Sequence, residues 1–282
     1  MKGMLFSINS WIFGNTPIEE IARISREIGV DGLDISGEPD TSNLERIKKA
    51  LNENGLIAFC INGNFTEENR VFCHGNEKYR KEAISYGKKC VDMACELGAG
   101  IVLMVPSQIN GRGYFISKEE DWRNSVASLR EVAKYAKEKG IVIVLECVNK
   151  YEVTLVRTLS DGIKMAEDIG LDNVKIIGDT FHMNIEEANG IHNAIREAKA
   201  GWLGYLHLGD NNREVPGMGC VNWREVLLSL KDIGYDGPLS FEPLPHKLTL
   251  EEIFKGALKP EELAKELKFS LNYLKTTLQT IR

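Results

Sequence analysis

Four ionisable residues in the second half of the chain each stand at the end of an apolar run. IVIVLEC closes on Glu146, VKIIGD on Asp179, LGYLHLGD on His207 and GPLSFEP on Glu242. A lone charge that follows buried strand residues costs several kcal/mol of lost hydration unless it is neutralised or coordinated. Any one of the four, taken alone, could reach solvent or a neighbouring ion pair. Four at the ends of consecutive strands point instead to a shared cation. Three carboxylates and one imidazole make a hard, mostly oxygen donor set, which suits Mn²⁺, Mg²⁺ or Co²⁺ better than a thiolate-preferring metal. One divalent metal ion is therefore the expected cofactor, Mn²⁺ first, with Co²⁺ or Mg²⁺ as alternatives.

That inference needs all four residues on one face, and the rest of the sequence supplies the scaffold. A unit recurs along the chain: a charged amphipathic helix, a Gly near its end, then a short β-branched run, as in EIGVDGLDIS, ELGAGIVLMV, EKGIVIVLEC and DIGLDNVKII. Gly suits the left-handed position that ends a helix, and an apolar run without strict alternation suits a parallel strand covered on both faces. Strands are predicted at 4–8, 32–36, 57–62, 101–105, 141–147, 174–179, 203–208 and 238–243. Helices are predicted at 17–29, 43–54, 77–97, 118–139, 158–169, 186–199 and 223–233, with a further C-terminal helical segment around 260–279. This alternation predicts an α/β fold, a single (β/α)₈ TIM barrel spanning residues 1–282 as one domain, with its reactive groups at the C-terminal ends of the strands. A doubly wound open sheet is the competing arrangement. Against it, the first turn, SINSWIFGNTP, has no GxGxxG, and no GxxxxGK[ST] occurs anywhere.

Composition narrows the partners. With 43% hydrophobic and 27% charged residues, a mainly disordered chain is excluded. Lys and Arg number 35 against 41 Asp and Glu, a net charge of −6 with no basic stripe, which argues against nucleic acid. No stretch approaches the ~20 apolar residues of a membrane helix. The opening MKGMLFSINSWIFG is too polar for a secretory signal, so a cytoplasmic location is expected. The six cysteines form no CxxC pair and read as reduced thiols, mostly packed as small hydrophobes.

Four stretches carry a family resemblance: LECVNKYE (145–152), GDTFHMN (178–184), HLGDNNREVPGMGCVNW (207–223) and SFEP (240–243). Together they closely resemble the ketose 3-epimerases, the D-tagatose and D-psicose 3-epimerase group of the xylose-isomerase-like barrels. The resemblance runs over nearly the whole chain and is most specific between Leu145 and Pro243. It implies that Glu146, Asp179, His207 and Glu242 hold the metal, and that Glu152, His182 and Arg213 contact the oxygens at the C1 to C3 end of a ketose. It also implies that Glu146 and Glu242 act as acid and base on opposite faces of the sugar. Epimerising C3 of a 2-ketose means removing a proton made acidic by the adjacent carbonyl and returning one to the other face, so two bases are needed, with a cation to polarise the carbonyl.

The implied activity is that of an isomerase: metal-dependent epimerisation at C3 of a small-molecule 2-ketose through a cis-enediolate. A free ketohexose or ketopentose is expected, because a phosphate would want Gly-rich backbone near strands seven and eight, where the last loop offers only PLPHK, with His246 and Lys247. An aldose–ketose isomerase of sugar-phosphate or hydroxypyruvate type on the same metal site is the alternative, and a non-catalytic sugar-binding module the third reading. A homo-oligomer, dimer or tetramer, is the one protein partner considered. His74, His192 and His246 read as surface or packing histidines. Phe6, Trp11, Tyr114 and Phe115 are candidates for an apolar wall against the far end of the sugar, with ordinary packing as the competing role. The family's usual Trp after strand four is missing from SQINGRGYFISKEEDW until the next helix.

Overall fold

The computed structural model describes residues 4–111, 113–245 and 248–281, so His246 and Lys247 lie outside the described residues. Eight parallel strands close into a barrel in chain order: β1 Phe6–Asn9, β2 Gly32–Gly37, β3 Ile57–Gly63, β4 Ile101–Met104, β5 Val142–Glu146, β6 Val174–Asp179, β7 Leu203–Leu208 and β8 Leu239–Phe241. The helices are α1 Ile18–Ile28, α2 Leu44–Asn54, α3 Glu77–Leu97, α4 Lys118–Glu138, α5 Leu159–Ile169, α6 Thr180–Glu186, α7 Ile191–Trp202, α8 Trp223–Asp232, α9 Leu250–Phe254 and α10 Pro260–Thr280. The (β/α)₈ barrel is the expected fold, and every strand boundary falls within two residues of its expected place. No described helix is long and apolar enough to cross a membrane.

The recurring unit works as its composition implies. Gly29 ends α1 at φ 95° and Gly170 ends α5 at φ 72°, a left-handed turn that a side chain would resist. Each turn aims the chain straight into the next strand. At the other ends, Asn43 caps α2 by accepting from Arg46 N–H, and Thr158 and Asp161 form a reciprocal capping box on α5.

One expected helix is corrected. The helix predicted at 186–199 is α7, which starts only at Ile191 because Gly190 at φ 81° breaks the chain before it, and the short α6 ahead of it, started by the side chain of Asp179 directly after β6, was not expected. Helix α9 was not expected either.

Strand pairing decides which side chains face the barrel interior, since successive residues alternate and partners share a side. Starting from His207, the ladder runs to Asp179 on β6 and to Ser240 on β8, then from Ser240 to Ser7 on β1, and from Asn9 to Asp34 on β2. The interior of these strands is therefore unusually polar. Phe6 and Ile8 alternate to the outside and pack in the core beneath the helices. Phe6 stacks on Phe241 at 6.1 Å, with Lys275 of α10 5.8 Å from its ring, so it does not line the mouth as a sugar wall.

The C-terminal helix also serves the barrel mouth. Ser270 Oγ of α10, fully buried, donates to the Pro216 carbonyl at 2.7 Å, and Lys268 and Lys275 reach carbonyls at the end of α1. The loop after β7 is thereby tied to a helix that also packs on α1 and α8.

Candidate active site

At the C-terminal mouth the structure brings Glu146, Asp179, His207 and Glu242 together, with one ligand atom from each lying within 4.8 Å of the others. All four are buried. His207 Nδ1 stands 3.0 Å from Glu242 Oε2 and 3.9 Å from Glu146 Oε1. Asp179 divides its work: Oδ1 accepts the Phe181 N–H at 2.8 Å to cap α6, while Oδ2 is buried without a hydrogen-bond partner. Glu242 Oε1 accepts from Asn9 Nδ2 at 2.6 Å and from Trp11 Nε1 at 2.8 Å, which leaves Oε2 for the cluster. Among the described residues no donor reaches the Glu146 carboxylate within hydrogen-bond distance.

The electrostatics of this cluster call for a cation. Burial, with the neighbouring charge of Glu242, pushes the Glu146 carboxyl up to about 8. Burial likewise pushes Asp179 up to about 7, although Arg213 opposes it. Against its own burial, Glu242 is held well below the usual carboxylate range by His207 and Arg213. Burial would lower His207, but Glu242, Asp34 and Glu146 outweigh it and hold the imidazolium well above its ordinary range. Without a metal the excess negative charge must thus be met by protons. The free Asp179 Oδ2, the two His207 nitrogens without hydrogen bonds and the three converging carboxylates fit a divalent ion held by these four residues.

A second layer fixes the first. Asp34, fully buried in β2, accepts from Ser7 Oγ at 2.9 Å and Tyr205 OH at 2.6 Å, and its Oδ2 lies 3.5 Å from His207 Nε2. A carboxylate at Nε2 leaves Nδ1 as the nitrogen turned toward the cluster. Asp210 organises the loop after β7: it accepts from the backbone of Asn211, Gly217 and Val221 and from Trp223 Nε1 at 2.8 Å. That loop holds Arg213 at φ 62°, a left-handed conformation costing a non-glycine residue about 1–2 kcal/mol. Backbone bonds from Arg213 N–H to Asp210 O and from Leu244 N–H to Arg213 O hold it there.

The residues expected at the sugar all reach the same mouth. Arg213 Nη2 is 3.6 Å from both Asp179 Oδ2 and Glu242 Oε2, and its guanidinium lies 4.7 Å over the Phe181 ring. His182, buried on α6, has Nε2 3.3 Å from Arg213 Nη1 and 3.6 Å from Asp179 Oδ2. Burial, then the charge of Arg213, push its imidazole well below the ordinary range. Glu152 is half-buried, with Oε1 4.0 Å from His182 Nδ1. Trp11 is here as well, but as a donor to Glu242. Phe115 packs on the buried His74 at 4.2 Å, and Tyr114 is exposed. His74 is a packing histidine bonded to Glu68, and His192 lies half-buried on α7.

Sequence reasoning missed Asn9, Asp34, Asn149 and Asp210. Asp34 carried a signal, an acid inside the apolar run GLDIS, and Asp210 stood in the longest matching motif. Asn149 stood in the matching stretch LECVNKYE, and Asn9, an amide at the end of the first strand, carried none.

Comparison with known proteins agrees with this fold. The family model described as xylose isomerase-like TIM barrel matches residues 22–273. A D-psicose 3-epimerase of Ruminiclostridium cellulolyticum is 34% identical over 235 residues, 80% of this chain and 76% of that protein. A 3-dehydro-D-guloside 4-epimerase of Escherichia coli (strain K12) is 28% identical over 269 residues, 92% of this chain and 94% of that protein. Among solved structures, the D-psicose 3-epimerase with D-tagatose from Clostridium cellulolyticum H10 superposes with a TM-score of 0.87 at 28% identity, covering 98% of this chain and 99% of that one. With the family model spanning most of the barrel, the chain belongs to the xylose isomerase-like TIM barrels, in their ketose 3-epimerase group, and is an isomerase-class enzyme.

Proposed function

We propose that this enzyme epimerises a free 2-ketose, a ketohexose or ketopentose, at C3 through a cis-enediolate, with one divalent metal ion, Mn²⁺ by preference and Co²⁺ or Mg²⁺ as alternatives. The observation that carries the proposal is the pair Glu146 and Glu242, two carboxylates from strands separated by two others and joined across His207. Glu146, Asp179, His207 and Glu242 hold the metal, which when bound supplies the electrophile that acidifies the proton beside the ketone. In one direction one glutamate takes the C3 proton and the other delivers a proton to the opposite face; in the reverse direction they exchange roles. Arg213, His182 and Glu152 bind and orient the oxygens at the C1 to C3 end. Arg213 offers a rigid fork of donors, which suits oxygens gaining negative charge.

In this reading residues 1–282 form one domain. The six cysteines, all free, support a reducing, cytoplasmic compartment. Exposed Tyr114, Ile116 and Tyr151 on the loops after β4 and β5 support self-association into a dimer or tetramer, which sedimentation velocity measures.

The test is turnover of free and phosphorylated 2-ketoses, and of a 3-keto-hexoside, in deuterated water. The expected result is inversion and solvent deuterium at C3 of a free 2-ketose, with C1 and C4 unlabelled. Dialysis against a chelator should abolish it and Mn²⁺ or Co²⁺ restore it. Deuterium at C1 with an aldose among the products would replace the epimerase with an aldose–ketose isomerase. Full activity in metal-free enzyme would remove the metal from the mechanism.

A further inference from the structure

Asn149 lies in the turn after β5, 1% exposed, and every polar atom of its side chain is engaged. Its Oδ1 accepts the Tyr151 N–H at 2.9 Å, and its Nδ2 donates to Glu152 Oε1 at 2.9 Å. These two contacts settle the orientation of the amide without reference to any histidine. Turned over, it would set N–H against the Tyr151 N–H and carbonyl oxygen against the Glu152 carboxylate, two repulsive contacts in a buried turn.

Nδ2 has a second hydrogen, and it points to His182 Nδ1 at 2.7 Å. A ring nitrogen that accepts cannot carry a proton, so the single proton of the neutral imidazole sits on Nε2. This changes the meaning of the short approach between His182 Nε2 and Arg213 Nη1 at 3.3 Å. Two donors stand side by side there without a bond between them, and both are near Asp179 Oδ2, which has no hydrogen-bond partner. A pair of converging donors is the arrangement that stabilises an oxygen as it gains negative charge.

We infer that Asn149 is a positioning residue that fixes His182 in its Nε2–H tautomer, making it a neutral donor beside Arg213, while the same amide holds Glu152 as an acceptor. The inference rests on the reading that these three side chains meet ketose oxygens. It assigns them opposite polarities: His182 and Arg213 give hydrogen bonds to an oxygen that gains charge, and Glu152 receives one from a hydroxyl. His182 then takes no proton from carbon.

The test begins with wild-type enzyme carrying ¹⁵N-labelled histidine and loaded with diamagnetic Mg²⁺. The chain has five histidines, and the His182 signal is assigned by its loss in His182→Gln. A long-range ¹H–¹⁵N spectrum should show His182 protonated on Nε2 alone; a proton on Nδ1, or on both nitrogens, overturns the inference. Asn149→Asp keeps the shape but offers an acceptor to Nδ1. It should move the ring proton to Nδ1 and lower kcat roughly tenfold to hundredfold. Metal content should change little, whereas the melting temperature should fall, because the new carboxylate faces Glu152 Oε1 where a 2.9 Å hydrogen bond stood. Wild-type kcat in a variant whose tautomer has switched also overturns it. The wild-type spectrum decides the tautomer even if Asn149→Asp does not fold, and Asn149→Ala, which removes the donor without inverting it, gives a second kinetic arm. If wild-type enzyme shows the Nε2–H tautomer yet turns over no ketose, the ketose reading falls and the tautomer assignment stands.

Discussion

Lowering the pH of metal loading from about 8 to about 6 should weaken metal binding by at least two to three orders of magnitude. The size follows from the protons that occupy the cluster in the absence of a cation. Burial and the charge of Glu242 raise Glu146 to about 8, and burial raises Asp179 to about 7, so at about pH 6 both are protonated. Each must release its proton to act as a ligand. Treated as independent sites, the two would cost factors of about 100 and about 10 at that pH, and about 2 and about 1 at pH 8. His207, held above its ordinary range, adds in the same sense, whereas Glu242, held below, adds nothing. The sign for stability also follows. A carboxyl whose folded pKa is raised disfavours the fold as pH climbs from the unfolded value of 4.5 through about 8, so the metal-free protein should lose stability over that window. The melting-temperature gain on adding Mn²⁺ should accordingly be larger near pH 8 than near pH 6. Isothermal titration in two buffers of different ionisation enthalpy reads both affinity and protons released. An affinity flat from pH 6 to 8, with no proton release, would refute the reasoning.

Substitutions at four residues probe the other layers. Glu146→Gln and Glu242→Gln, assayed at saturating Mn²⁺, should each lower kcat by at least ~100-fold, and near-normal turnover with metal bound would rule out the paired acid–base roles. Arg213→Ala should keep at least the wild-type metal content by elemental analysis while kcat/KM falls, with Lys restoring only part because a point charge cannot reproduce the planar fork; loss of metal would move Arg213 into the metal scaffold. Asp34→Asn should weaken metal binding about 10–100-fold in chelator competition without changing the circular dichroism, since the carboxylate that orients His207 is gone; unchanged affinity would make Asp34 merely a packing residue.

What the sequence made legible is what local chemistry repeats. Helix, Gly, apolar run is a short-range pattern, and each copy reports its own turn and strand, so strand count, order and ends could be read without knowing how the strands meet. The four strand-end residues were visible for the same reason. Two points were settled only by the structure. Phe6, read as either a sugar wall or ordinary packing, takes the packing role, because the two-residue alternation sends Ser7 and Asn9 inward and Phe6 out. The helix expected at 186–199 begins late, at Ile191 after Gly190, and α6 ahead of it went unread because its start is the Asp179 side chain, a cap that a polar-apolar pattern hides.

The residues that support the site were hidden for a different reason, which lies in barrel closure. Asn9 and Trp11 hold Glu242 from the other end of the sequence, because β1 pairs with β8 and the last ladder bonds bring the first loop against the last strand. Asp34 reaches Tyr205 and His207 across the barrel interior, 171 positions from Tyr205 in sequence, because inward-facing positions of β2 and β7 share one core. No local pattern contains such partners. Their geometry depends on the whole ladder having closed in register, since a one-residue slip of β1 would turn Asn9 outward and release one oxygen of Glu242. The metal ligands are therefore specified strand by strand, while their orientation is specified only by the closed ring. Damage to the β1–β8 seam should reach catalysis through Glu242 before it reaches the helices outside.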